Sequence, residues 1–271
     1  MNVNQLLGND GLDYLVALAD AAGNAIKGIY KAGALENLSL KPDASPLTEA
    51  DLASNEVLIH GLQKRWPMVP VLSEESQNTF KAGEKPPVYW AIDPLDGTKE
   101  FIKGNGEFTV NIALIVEGEP LIGVIGVPAG DLMYLGVVGN ATSTLSKAQK
   151  RIGKSWNHIC VSNVDTSTNL GRPVRVAMSR SHPSPEMSNW LKKFSEVEVQ
   201  DIGSSLKFCL VAEGLVDVYP RLGRTCVWDT AAGHALVKAA GGRVALLNQE
   251  PLRYEEPHNA FNPYFVAWGK A

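Results

Sequence analysis

Two short apolar runs, Val69-Pro-Val-Leu72 and Val88-Tyr-Trp-Ala-Ile92, lead straight into carboxylates: Glu74-Glu75 after the first and Asp93 at the end of the second. Short runs rich in Val and Ile, bounded by turn residues, predict buried strands. A buried strand that ends on an acid delivers it to the carboxyl edge of a sheet, where α/β proteins gather their ligands. The surrounding chain fits a layered fold. Leu12, Leu15, Val16, Ala19, Ala22, Ile26 and Ile29 share one helical stripe ending near Gly33. A polar, Pro-containing loop is expected over 34–47. A second helix opens at Thr48, with Leu52, Ile59 and Leu62 on its apolar side, and ends near Trp66-Pro67. Val110–Val116, Leu121–Val127 and Met133–Val138 predict an antiparallel meander whose first turn is Glu117-Gly118-Glu119.

The stretch from Gly139 to Ser155 is polar and marks the expected boundary between two lobes, 1–150 and 151–271. Beyond it, strands (Val174–Met178, Val197–Val199, Val216–Tyr219, Arg243–Leu246, Phe265–Trp268) alternate with helices (Glu186–Phe194, Ser205–Glu213, Asp229–Ala240). The predicted class is therefore layered α/β. A net charge of −4 argues against a nucleic-acid polymer as partner, because phosphate contacts need a basic surface. No apolar run reaches the roughly 18 residues of a membrane span, and Met1-Asn-Val-Asn-Gln does not open a secretory leader. The three cysteines, Cys160, Cys209 and Cys226, are odd in number and widely spaced. They are expected to be reduced and buried, in a cytoplasmic protein. A peripheral contact with the inner face of the cell membrane, and the oligomeric state, leave no trace in the sequence.

Chemistry concentrates in Trp90-Ala-Ile-Asp93-Pro94-Leu95-Asp96-Gly97-Thr98. Pro94 forces a turn after the strand, so Asp93 and Asp96 can face one point, and the Leu95 carbonyl is freed from the ladder. Oxygen-only ligands suit Mg²⁺ rather than Zn²⁺. Gly97 admits close approach of an anion, which its amide and that of Thr98 can meet. The alternative is an Asp-rich turn serving only the fold. Glu74 stands at another strand end. Asp229 has an alternative role as a helix N-cap, and Asp51, three residues after Thr48, as part of a capping box. His60, His158, His234 and His258 show no metal-ligand spacing, and there is no phosphate-binding lysine loop.

Four segments, Asp43-Ala-Ser-Pro-Leu-Thr48-Glu-Ala-Asp51, Ser73-Glu-Glu-Ser76, Asp93-Pro-Leu-Asp-Gly-Thr98 and Trp228-Asp229-Thr-Ala-Ala-Gly233, occur in the order found in the inositol monophosphatase superfamily, which the chain resembles over nearly its whole length. The resemblance implies an αβαβα sugar-phosphatase fold and a lithium-sensitive, metal-dependent phosphatase. It implies two or three Mg²⁺ ions on Glu74, Asp93, Asp96, Asp229 and the Leu95 carbonyl, and a Thr98–Asp51 pair that helps Glu74 activate water. Gly97-Thr98-Lys99-Glu100-Phe101-Ile102-Lys103 and Gly106-Glu107-Phe108-Thr109-Val110-Asn111 resemble the bisphosphate nucleotidase branch, as do Met178-Ser179-Arg180-Ser181-His182 and Gly203-Ser204-Ser205-Leu206-Lys207. In Tyr219-Pro220-Arg221, Arg221 stands where inositol-specific members have a Glu, which favours a second anionic group on the substrate. The implied substrate is the small nucleotide 3′-phosphoadenosine 5′-phosphate, contacted by Glu74, Leu95, Asp96, Gly97, Thr98, His182, Ser204, Lys207, Arg221 and Asp229, in sulfur metabolism. The alternatives are an inositol or sugar phosphatase on the same scaffold, or a non-catalytic nucleotide or metal sensor.

Overall fold

The apolar runs of the first half do assemble as one sheet. In the computed structural model, which describes residues 6–32, 39–40, 46–139, 146–163, 172–179 and 185–270, seven strands lie side by side in chain order. They are β3 (Val71–Ser73), β4 (Val88–Asp96), β5 (Thr109–Val116), β6 (Glu119–Val127), β7 (Leu132–Val137), β8 (Lys147–Ile152) and β9 (Ser155–His158). β3 pairs parallel with β4, and every later pair is antiparallel. Two strands before them, β1 (Ser39–Leu40) and β2 (Pro46–Leu47), form a separate antiparallel pair within the expected loop, whose remaining residues lie outside the described ones. The polar stretch expected as a linker thus contributes β8 and the first residue of β9, and a boundary after residue 150 would fall inside β8. Polar residues dominate both of these outer strands, so neither forms an apolar run.

One face of this sheet is covered by α1 (Gly11–Ala32) and α2 (Glu49–Arg65). α1 buries Leu15, Ala19, Ala22 and Ile26, as its stripe predicts. In α2 the inward face is Ala50, Asp51, Ser54, Leu58 and Leu62, whereas Leu52 is half exposed. Small polar residues occupy the positions nearest the end of β4, so the apolar pattern alone misplaces the face.

The second sheet has the order β11-β10-β12-β14-β13, with β10 (Val174–Ser179), β11 (Val197–Ile202), β12 (Val218–Arg221), β13 (Arg243–Leu246) and β14 (Phe265–Trp268). β10 pairs parallel with β11 and β12, and β14 runs antiparallel to β12 and β13. A short α4 (Pro185–Leu191) covers its outer face through Met187 and Trp190. Between the two sheets lie α5 (Leu206–Ala212) and α6 (Val227–Ala239), sharing one core with residues of both. The layers are therefore α, β, α, β, α, as expected.

α6 lies unusually close to the first sheet. Gly123 and Gly136 face each other across β6 and β7, and a Cβ on either would fall 2.1 Å from the Ala232 carbonyl oxygen or 2.5 Å from the Leu236 Cα. Such distances exclude any larger residue without backbone movement. The pair of glycines is the seat that fixes where the N-terminus of α6 points.

None of the three cysteines forms a disulfide; Cys209 is buried, Cys226 is half-buried and Cys160 is exposed. Cys160 follows the exposed edge strand β9, which offers no core to enter. Among the described residues, no helix is long and apolar enough to cross a membrane.

Candidate active site

Pro94 has no amide hydrogen for the ladder, and the pairing of β4 with β5 shifts register between Asp93 and Asp96. The resulting bulge is pinned from both sides. Ser54 Oγ donates to the Pro94 carbonyl at 2.7 Å, and the Leu95 amide donates to Asp93 Oδ1 at 3.0 Å. Parallel pairing of β3 with β4 brings the Glu74 amide to 3.3 Å from the Ile92 carbonyl, which sets Glu74 beside Asp93. Asp229 arrives from the other half of the chain. It is the third residue of α6, not its N-cap: its Oδ2 accepts the Cys226 amide and the Thr225 hydroxyl, each at 2.8 Å. Glu74, Asp93 and Asp229 thereby bring one carboxylate oxygen each to within 4.8 Å of one another.

Burial first, and then the charges of Glu74, Asp96 and Asp229, push the Asp93 carboxyl well above the usual carboxylate range. Burial, with Asp96 and Glu74, likewise pushes Asp229 up to about 7. Three oxygen donors held together against their own repulsion fit a hard divalent cation, which turns that repulsion into attraction.

Asp96 stands beside this trio but turns its Oδ2 elsewhere. That oxygen accepts the Ser205 amide at 2.6 Å, the Ser205 hydroxyl at 2.7 Å and the Ser204 hydroxyl at 2.9 Å, with Thr109 and Asn111 nearby at 3.5 and 3.4 Å. Ser204 adopts the left-handed backbone region (φ 56°), uncommon for a residue with a Cβ, and this aims its hydroxyl at Asp96. It is not an N-cap; Ser205 occupies that position on α5. Thr109 and Asn111 are fully buried polar side chains in an otherwise apolar strand. That pattern is the signal by which their part in holding Asp96 can be found from sequence.

Asp51 is wholly buried and serves two purposes at once. Its Oδ2 completes the capping box with the Thr48 amide (2.8 Å) and hydroxyl (2.6 Å), while its Oδ1 accepts the Thr98 hydroxyl at 3.1 Å. Gly97 takes φ 95°, and a Cβ there would lie 3.0 Å from the Glu107 carbonyl oxygen, so the turn into α3 (Thr98–Lys103) needs glycine.

Glu74, Asp93, Leu95, Asp96, Gly97, Thr98, Ser204, Lys207, Arg221 and Asp229 line one cleft of about 930 Å³. His182 lies outside the described residues. Lys207 is not on a solvated helix face: it is buried, donates to the Ser204 carbonyl at 2.6 Å, and lies 5.4 Å from the centre of the Tyr219 ring. Burial lowers its ammonium to about 8, against the opposing pull of Asp96. Arg221 donates through one terminal nitrogen to the Arg224 carbonyl, and its buried Nε has no hydrogen-bond partner. His234 is a core histidine, depressed to about 3 by burial and facing Tyr254 at 3.0 Å.

The model of the inositol monophosphatase family matches residues 10–264. The chain is 44% identical over 254 residues to the 3′(2′),5′-bisphosphate nucleotidase CysQ of Escherichia coli K12, covering 94% of this chain and 98% of that one. It is 34% identical over 260 residues to the protein of the same name from Haemophilus influenzae, covering 95% and 92%. Among solved structures, CysQ of Bacteroides thetaiotaomicron superposes with a TM-score of 0.78 at 37% identity, over 96% of this chain and 97% of that one. The inositol monophosphatase of Anabaena superposes with a TM-score of 0.72 at 26% identity, over 96% and 90%.

Proposed function

The chain belongs to the inositol monophosphatase family, and from that premise we propose that it is a 3′(2′),5′-bisphosphate nucleotidase that converts 3′-phosphoadenosine 5′-phosphate to AMP and phosphate. The observation that carries this reading is the meeting of Glu74, Asp93 and Asp229 in a cleft large enough for a nucleotide, in a chain 44% identical to a bisphosphate nucleotidase across nearly its full length. Members of this family depend on a divalent metal. Here the proposed ligands are Glu74, Asp93, Asp229, Asp96 and the Leu95 carbonyl, and the proposed cofactor is Mg²⁺, two or three ions. When bound, it supplies positive charge to the phosphate oxygens and lowers the pKa of a neighbouring water.

The residues of the chain then need mainly to position and orient. Thr98 donates its hydroxyl hydrogen to Asp51, which leaves its oxygen lone pairs free to accept from the attacking water. Asp51 acts through Thr98, as a positioning residue. Glu74 receives one proton as the water oxygen bonds to phosphorus; the bond from phosphorus to the 3′-oxygen breaks, and that oxygen takes a proton from solvent. The amides of Gly97 and Thr98 face the phosphate. Arg221 suits the second phosphate, because it lines the same cleft and its planar guanidinium offers paired donors to phosphate oxygens. Ser204, Lys207 and His182 complete the proposed nucleotide subsite. Cytoplasmic residence belongs to the same proposal and fits three cysteines that form no disulfide.

Phosphate release under Mg²⁺ tests the assignment. The panel is adenosine 3′,5′-bisphosphate, its 2′,5′ isomer, phosphoadenylyl sulfate and inositol 1-phosphate, each with and without chelator. A bisphosphate nucleotide is expected to react fastest, with all turnover lost on chelation. Fastest turnover of inositol 1-phosphate, or binding of the nucleotide without cleavage, overturns the nucleotidase reading.

A further inference from the structure

The outer wall of the cleft carries an aromatic–cation pair that the phosphate chemistry leaves unused. Arg224 is exposed on the turn from β12 into α6, and its guanidinium carbon lies 3.9 Å from the centre of the Phe261 ring. Phe261 is itself 46% exposed, and both side chains line the same cleft as the carboxylates. A large ring left nearly half in water, at the mouth of a site, is a surface prepared for something flat and apolar.

The pair is held in fixed relation to the acids. Phe261 bridges to Cys226 through the backbone, and its neighbours close the connection: the Val227 amide donates to the Ala260 carbonyl at 2.8 Å and the Asn262 amide to the Thr225 carbonyl at 2.9 Å. Asn262 Nδ2 also donates to the Cys226 carbonyl at 2.7 Å. Thr225 and Cys226 are the two residues that bind Asp229 Oδ2. The segment holding a proposed metal ligand is therefore the segment on which the Arg224–Phe261 pair is built. A molecule anchored by phosphate at the acids reaches this wall at a set distance.

We propose that Arg224 and Phe261 form a stacking platform for the purine base of the substrate. The inference rests on the nucleotidase reading and deepens it. A guanidinium lying over a ring presents a flat, cationic surface, and a base offers the matching π-face. The cleft, at about 930 Å³, has room for a base and ribose beyond the phosphate.

The test compares adenosine 3′,5′-bisphosphate with ribose 3,5-bisphosphate, which keeps both phosphates and lacks the base. Phe261→Ala and Arg224→Ala are each expected to raise KM for the nucleotide about tenfold or more while leaving kcat and the base-free substrate near wild type. Phe261→Trp is expected to restore the nucleotide KM, which separates loss of stacking from loss of folding. An unchanged nucleotide KM in Phe261→Ala, or equal losses on both substrates in Arg224→Ala, overturns the platform. Failure of the nucleotidase reading looks different: the wild-type protein would then not cleave the nucleotide at all.

Discussion

Asp217 and Asp93 are both buried acids beside or on strands, one in each sheet, and the fold treats them in opposite ways. Asp217, immediately before β12, accepts Arg172 Nη1 at 2.7 Å, Arg175 Nη2 at 2.6 Å, the Arg175 amide at 2.9 Å and Ser162 Oγ at 2.8 Å. Burial would raise its pKa, but the hydrogen bonds from Arg172 and Arg175 outweigh burial and hold it well below the carboxylate range. Asp93 is equally buried and faces Glu74, Asp96 and Asp229, so every neighbouring charge adds to the effect of burial. The first acid is neutralised by the chain and supports the fold. The second group keeps its mutual repulsion, and concentrated like charge of that kind marks a place meant for a cation.

Charge removal breaks the comparison most severely. Asp93→Asn is expected to lower turnover by more than about 10³-fold, comparable to losing an essential electrostatic group from a catalytic site, while the metal-free protein keeps or gains thermal stability. Asp217→Asn is expected to do the reverse. It strands two arginines and costs about 3 kcal/mol, the low end for a broken buried pair because both arginines keep some water access. Its turnover per folded molecule stays near wild type. Phosphate-release rates and thermal unfolding of both variants check this; similar activity losses in the two would erase the distinction.

Metal linkage sharpens it. Mg²⁺ at about 100 times its Kd is expected to stabilise the wild type by roughly 2.7 kcal/mol, to stabilise Asp217→Asn equally, and to leave Asp93→Asn almost unmoved. Thermal melts with Mg²⁺ and with chelator measure the three shifts.

The smallest effect is one of sign against pH, read in chelated protein. Asp217 has a depressed folded pKa, so its contribution is present above the ordinary carboxylate range, near 3.9, and is lost as pH falls toward the folded value. Asp229 has a raised folded pKa of about 7, so the folded state holds a proton that the unfolded chain has already released. Its share of stability is present at low pH and is lost as pH climbs from about 4 through 7. Melting-temperature differences between wild type and Asp217→Asn should therefore widen upward in pH through the acid range. Those between Asp229→Asn and wild type should grow toward neutrality. Parallel slopes would contradict the contrast between the two regions.

Much of the site is legible in local sequence. The strand-end acids Glu74 and Asp93 could be located because short-range pattern determines both a strand and the residues at its end, and the turn at Pro94 comes from a missing amide hydrogen. The capping box of Asp51 was equally local. The features that escaped depend on partners far away in the chain. The Gly123–Gly136 seat exists only because α6 crosses β6 and β7, more than 90 residues after each glycine. The turn of Asp96 toward Ser204 and Ser205 depends on α5, more than 100 residues downstream. Leu52 read as core because helical periodicity cannot show that the sheet end beneath α2 is polar. The stacking of Arg224 on Phe261 joins two loops that carry no motif.

The most direct measurement of the central claim is anomalous diffraction from crystals soaked in Mn²⁺ as a substitute for Mg²⁺. A strong anomalous peak is expected within coordinating distance of Glu74, Asp93 and Asp229, and is expected to be absent from Asp93→Asn crystals. Full Mn²⁺ occupancy elsewhere with no peak among these three carboxylates would contradict it.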